Sequence, residues 1–99
     1  IGKNCDIASF VSINAADSHK RCIGKIKKIE RKNIKIGDNV FIGSHSVVLG
    51  GVNIGDNCVI AAGSVVRKCS APSFSLIIGN PAKVKKGFYK KWLHIINLL

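Results

Sequence analysis

Ninety-nine residues with 46% hydrophobic content fit one small folded domain. The formal charge is +11, from 16 Lys and Arg against 5 Asp and Glu; such a surface suits anionic ligands, but sparse aromatics and no nucleic-acid fold signature argue against nucleic acid. No apolar run reaches the roughly 20 residues of a membrane span, and cysteines at 5, 22, 58 and 69 lack a C-x-x-C or paired-His spacing, so neither zinc nor a disulfide framework is expected.

The chain opens with two six-residue phrases, IGKNCD and IASFVS, each beginning with isoleucine. Because Ile1 already opens a phrase, earlier rungs are expected to precede it. Ile13 begins a third phrase, and then the pattern breaks. From Ser18 to about Asn33 no aliphatic residue returns on schedule, and Ile13 and Ile36 lie 23 residues apart, one short of four phrases. The sequence predicts a loop over about 18–33, extruded from a corner, with a short strand at Ile23 to Ile29. That loop is basic: Lys20, Arg21, Lys25, Lys27, Lys28, Arg31 and Lys32 crowd it. Loops carried on a rigid scaffold are where function concentrates.

Regularity returns from Ile36 to Lys68. Ile36, Ile42, Val48, Ile54, Ile60 and Val66 open successive phrases, and the fifth places (Val40, Ser46, Val52, Cys58, Ser64) are small or apolar. A period of six matches neither the helix period of 3.6 nor the strand period of 2. It matches short strands wound into a parallel β-helix, each rung stacking its aliphatic residue on the next. Gly37-Asp38-Asn39 and Gly55-Asp56-Asn57 read as corners, since Gly and Asn tolerate positive φ. After Lys68 the period is expected to end. Pro72 and Pro81 act as terminators, Ser75 to Ile78 reads as a last strand along the coil, and Gly79-Asn80-Pro81 reads as a turn. From Val84 on, Phe88, Trp92, Ile95 and Ile96 share a helical face. The expected division is therefore a repeat domain over 1–86 and a helical tail over 87–99. Unpaired cysteines and no visible leader point to a cytoplasmic setting.

The block IGDNVFIGSHSVVLGGVNIGDNCVIAAGSVV with the tail IIGNPAKVKK resembles the hexapeptide-repeat acyltransferases, above all the galactoside and maltose O-acetyltransferases and their polysaccharide-modifying relatives. The resemblance implies an all-β, left-handed parallel β-helix, triangular in section, assembled as a homotrimer with sites between neighbouring coils. It implies acetyl-CoA as acyl donor and a small-molecule or glycan acceptor. By the same resemblance, His19 stands where the family's catalytic base lies, and Asp17 is placed to orient it. Histidine titrates near neutrality, and a positioned base contributes ~10²–10⁴ in rate. The Asp-x-His pattern is closer to the polysaccharide-modifying members, because galactoside enzymes carry His-Pro where this chain has His19-Lys20. Coenzyme A contacts implied by the resemblance fall at Ser44, Ala62, Arg67, Lys68, Lys83 and Lys86, with the Ser44 backbone N–H facing the oxyanion. His45 reads as outward-facing cleft lining and His94 as structural. Phe41 replaces a frequent Trp and serves either a sugar face or a contact between coils. N-acylation of an amino sugar or a serine-type reaction would use the same parts. A non-catalytic β-helix scaffold is the alternative of another class.

Overall fold

The computed structural model describes residues 1–90. Its strands are short: β1 (Asp6–Ile7), β2 (Ser12–Asn14), β3 (Ala16–Asp17), β4 (Glu30–Arg31), β5 (Lys35–Ile36), β6 (Phe41–Ile42), β7 (Val47–Leu49), β8 (Asn53–Ile54), β9 (Val59–Ile60), β10 (Val65–Val66), β11 (Ser70–Ala71), β12 (Leu76–Gly79) and β13 (Ala82–Lys85). One helical turn, α1 (His19–Cys22), follows β3.

The strands form three parallel sheets, β1-β6-β9-β12, β2-β7-β10 and β5-β8-β11, the faces of a triangular coil. Strand β13 closes the first sheet antiparallel to β12. The period of six explains why three faces exist: every third phrase returns to the same face, so Ile60 sits in register with Ile42, Val66 with Val48 and Ile54 with Ile36. Side chains alternate in and out along each strand, and the phrase-opening residue points in. Ile42, Val48, Ile60, Val66 and Ile77 are fully buried, and Ile36 and Ile54 nearly so. Each such side chain removed from water contributes about 1.5–3 kcal/mol.

Fifth-place residues turn inward at the corners. Ser46, Ser64 and Ser75 are buried, and their hydroxyls donate to the carbonyls of Ala61, Ala61 and Pro72 at 3.0, 2.6 and 2.6 Å. These bonds satisfy corner carbonyls that no ladder reaches. Cys58 lies at an equivalent place, its thiol 3.2 Å from the Pro72 carbonyl. Burial pushes the Cys58 and Cys69 thiols up from the ordinary cysteine range, whereas Cys22 stands exposed on the loop. Since the thiolate is the nucleophile, an alkylating reagent at mildly alkaline pH is expected to label Cys22 first and Cys58 only after denaturation. Mass spectrometry of the labelled peptides checks the order.

Two expectations need correction. The six-residue period breaks after Lys68 as expected, one side being shortened to five residues, but the winding continues: Ala71 stacks on Ile54 and Ile77 on Ile60. Strand β12 is therefore part of the coil rather than laid along it. No strand covers Ile23 to Ile29; the loop's ladder is instead Ala16 and Asp17 paired antiparallel with Arg31 and Glu30. At the corners, positive φ falls on Asn39 and Asn57 (both 57°), not on the glycines before them. Gly37 and Gly55 answer a different need, close approach, because a Cβ on Gly55 would come within 2.8 Å of the Ser73 nitrogen. The helix expected beyond Val84 falls largely on residues 91–99, outside the described residues.

Candidate functional site

Strand β2 leaves the second face at Asn14, and the chain departs into the hairpin made by β3 and β4. It returns where Lys32 N–H donates to the Ala15 carbonyl at 3.0 Å and Gly51 N–H to the Asn33 carbonyl at 3.0 Å. At the root of this hairpin Asp17 and His19 meet. The Asp17 carboxylate accepts the His19 backbone N–H at 3.0 Å and contacts the ring at Nδ1. Those two bonds, the backbone one first, hold the Asp17 carboxyl below its ordinary value. A carboxylate only accepts, so Nδ1 carries a proton toward Asp17, and the tautomer this contact selects places the ring's lone pair at Nε2. Both side chains are more than half exposed, so Nε2 is accessible to a reactant.

Beside the hairpin root lies a cavity of about 400 Å³, within the size range of small-molecule sites. Asp17, Glu30, Lys32, Gly50, Arg67 and Lys68 are among its lining residues. The structure thus brings together Asp17, Arg67 and Lys68, three of the residues singled out from the sequence. Lys32, Glu30 and Asn14 also line it, and they were missed. Their signal was position alone: each lies at an end of the segment where the six-residue count fails. Lys20 pairs with Glu30 at 2.9 Å and is the first cause holding the Glu30 carboxyl below its ordinary value.

Ser44 and Ala62 lie elsewhere, at the corner joining the β6-β9 face to the β7-β10 face, where Gly63 N–H donates to the Ser44 carbonyl at 2.9 Å. Here the coil is tight, since a Cβ on Gly43 would overlap the Ala62 backbone. The second residue of each corner distinguishes this edge from its neighbour. At the corner of Lys3, Asp38 and Asp56, the Lys3 N–H donates to Asp38 Oδ1 at 2.8 Å and the Asp38 N–H to Asp56 Oδ1 at 2.7 Å. At the corner of Ser44 and Ala62 no carboxylate stands one rung on, and among the described residues the Ser44 N–H has no acceptor. His45 is exposed and stacks on Phe10, ring centroids 5.0 Å apart. Phe41 faces outward on β6. Lys83 lies on β13, opposite Ile78, and Lys86 just beyond it; neither lines the cavity. His94 lies outside the described residues.

Among the described residues no three His, Cys, Asp or Glu side chains gather as metal ligands. No helix among them is long and apolar enough to cross a membrane.

The bacterial transferase hexapeptide (six repeats) family matches residues 33–68. A Staphylococcus aureus (strain MRSA252) protein, provisionally named an acetyltransferase, is 55% identical over 51 residues, which is 52% of this chain and 25% of that protein. A galactoside acetyltransferase solved in complex with coenzyme A superposes with a TM-score of 0.76 at 36% identity, covering 92% of this chain and 46% of its own. A maltose O-acetyltransferase from Clostridium difficile 630 gives 0.70 at 40% identity, covering 84% and 44%. The chain therefore spans about a quarter of the curated relative and less than half of each solved structure. A coil of the opposite hand would not superpose, so the likeness carries the family's left-handed winding to this chain. By repeat, coil and relatives together, these residues form a left-handed hexapeptide-repeat β-helix resembling that of the galactoside and maltose O-acetyltransferases.

Proposed function

We propose that this chain forms the catalytic coil of an acetyl-CoA-dependent O-acetyltransferase acting on a sugar or glycan hydroxyl. The observation that carries the reading is the Asp17–His19 pair, its imidazole held with Nε2 free beside a cavity bearing Arg67 and Lys68. His19 serves as general base and Asp17 holds its tautomer, the role a third group plays in orienting a base. The acceptor hydroxyl oxygen attacks the thioester carbonyl carbon while its proton passes to His19 Nε2. The tetrahedral oxyanion is met by the Ser44 N–H, which lacks a protein acceptor and sits on a rigid corner, as preorganised stabilisation requires. Collapse breaks the carbon–sulfur bond, and the proton on His19 passes to the departing thiolate. The products are the acetyl ester and free coenzyme A.

The two halves of this machinery stand at different corners. His45 and Gly50 are five residues apart along one face, about 16 Å at strand rise. One coil does not bring the Ser44 N–H to His19, so the proposed site needs a second coil packed corner to corner, which the homotrimer implied by the resemblance would supply. Arg67, Lys68, Lys83 and Lys86 suit the nucleotide phosphates of coenzyme A, as point charges and, for Arg67, a bidentate fork. Small residues Ala61, Ala62 and Gly63 leave room for the pantetheine arm, and the galactoside enzyme in complex with coenzyme A supports this donor.

A mass-shift screen of glycosides, amino sugars and serine with acetyl-CoA tests the proposal: the acetylated product is expected on a sugar hydroxyl. Labelling of an amine would make it an N-acyltransferase, and no transfer to any acceptor would favour a scaffold role. Replacing Arg67 and Lys68 by Ala together is expected to raise the KM for acetyl-CoA at least about tenfold, since losing even one charge-assisted contact of about 1.5 kcal/mol does that. The kcat at saturating donor should change little, because those contacts bind ground and transition states alike. Initial rates across donor concentration separate the two parameters.

A further inference from the structure

We propose that the hairpin loop of residues 18–32 docks onto an anionic lipid surface, with its isoleucines entering the interface and its lysines and arginines meeting the headgroups. Around α1 and Gly24 the loop stands clear of the coil, while Glu30 and Lys32 at its base line the cavity. Helical turn α1 buries no residue, and a Cβ built on Gly24 meets nothing within 4 Å. Ile23, Ile26 and Ile29 recur every third residue and are 67%, 37% and 40% exposed. Between and around them stand Lys20, Arg21, Lys25, Lys27, Lys28, Arg31 and Lys32. The one acidic residue, Glu30, is already paired with Lys20.

Neither half of this pattern explains the other's presence. A soluble anionic ligand would account for the cations but leaves the branched apolar side chains in water. A single-stranded nucleic acid wants aromatic stacking platforms, and residues 18–32 hold no Phe, Tyr or Trp. The same loop of a second copy carries the same seven cations against one carboxylate, which opposes loop-to-loop contact. An anionic bilayer satisfies both halves, because interfacial segments combine buried apolar groups with basic residues drawn to acidic headgroups. The proposal does not depend on the acetyl-transfer reading. If both hold, Asp17 and His19 at the hairpin root face a lipid-borne acceptor.

Vesicle co-sedimentation of the full chain tests it, with phosphatidylcholine alone compared with phosphatidylcholine containing about 30% phosphatidylglycerol. Binding is expected only to the anionic vesicles, lost in about 0.5 M NaCl where screening is strong. The triple variant Lys25→Glu, Lys27→Glu, Lys28→Glu and the triple variant Ile23→Ser, Ile26→Ser, Ile29→Ser are each expected to weaken binding at least ~10-fold. Unchanged thermal unfolding would show that the coil is intact in both. An Ile23→Trp, Trp92→Phe variant supplies an independent readout, an emission that shifts to the blue when anionic vesicles are added and that brominated lipid quenches. Equal binding to neutral vesicles, full binding by the isoleucine variant, or preference for a single-stranded oligonucleotide over the vesicles would each overturn the proposal.

Discussion

Replacing His19 by Ala is expected to lower acetyl transfer by about 10²–10⁴-fold, the contribution of a positioned general base, with coenzyme A affinity unchanged. The dissociation follows from the geometry. His19 stands on the hairpin, its backbone N–H donating to Asp17, and it does not line the cavity that holds Arg67 and Lys68. Removing an exposed imidazole leaves no buried cavity, so stability should hold. Asp17→Asn probes the same proton from the other side. An amide can donate as well as accept, so the ring is no longer held with its proton on Nδ1, and Nε2 is no longer reserved as the acceptor. Transfer should fall while acetyl-CoA KM stays level. Parallel measurement of acetyl-CoA turnover and coenzyme A binding for both variants decides the matter. A His19→Ala protein that keeps full turnover would move the base elsewhere.

The acid limb has a defined sign. The Asp17 carboxyl is held below 3.8 in the folded chain, first by the His19 backbone N–H and then by its ring. A carboxyl lowered on folding contributes to stability above its unfolded value, and that contribution is lost as pH falls through the folded one. Across the neutral range Asp17 therefore stays ionised, and its hold on the ring does not titrate there. Any change in rate near neutrality must come from another group.

The coil was legible because its signal is periodic and repeats. Ile42 alone predicts nothing, but Ile36, Ile42, Val48, Ile54, Ile60 and Val66 at equal spacing fix three faces, the inward side and the register of neighbouring rungs. The same counting failed where one side is a residue short. Ala71 follows Val66 by five, so the count by sixes lost the inward places beyond Val66, although Ala71 and Ile77 are buried in the stack. Corner chemistry was half legible. Asn39, Asn57 and His45 occupy the positive-φ place, while Phe10 and Phe74 take the same conformation without a propensity to announce it. A left-handed backbone costs a non-glycine residue about 1–2 kcal/mol, so the coil imposes it there against local preference. The pairing of Asp17 with His19 is local in sequence and readable. Its neighbours in the cavity come from two rungs and a hairpin return, Leu49 and Gly50 with Arg67 and Lys68, and only the winding brings them together.

Changing Ile60 to Ala is expected to destabilise the fold by about 2–5 kcal/mol, the range for truncating a large buried aliphatic side chain. Ile60 is fully buried between Ile42 and Ile77, in register with both. A ladder this narrow has little lateral packing to collapse into the gap, which pushes the cost toward the upper part of that range. For a domain whose whole stability is ~5–15 kcal/mol, this is a large share. At about 4–8 °C per kcal/mol for a chain of this size, the melting temperature should fall by roughly 10 °C or more. Ile7 is the matched control. It occupies the same ladder one rung from Ile42, yet it is 45% exposed. Half its transfer energy is never realised, so Ile7→Ala should cost about 1 kcal/mol or less. Stability in a solenoid is a sum of rung and nearest-neighbour terms. Among the described residues Ile60 stacks on two ladder neighbours, Ile42 and Ile77, and Ile7 on one, Ile42. Urea unfolding of the two variants reads the difference directly, and equal losses at Ile60 and Ile7 would mean that stacking along the coil is not what holds it together.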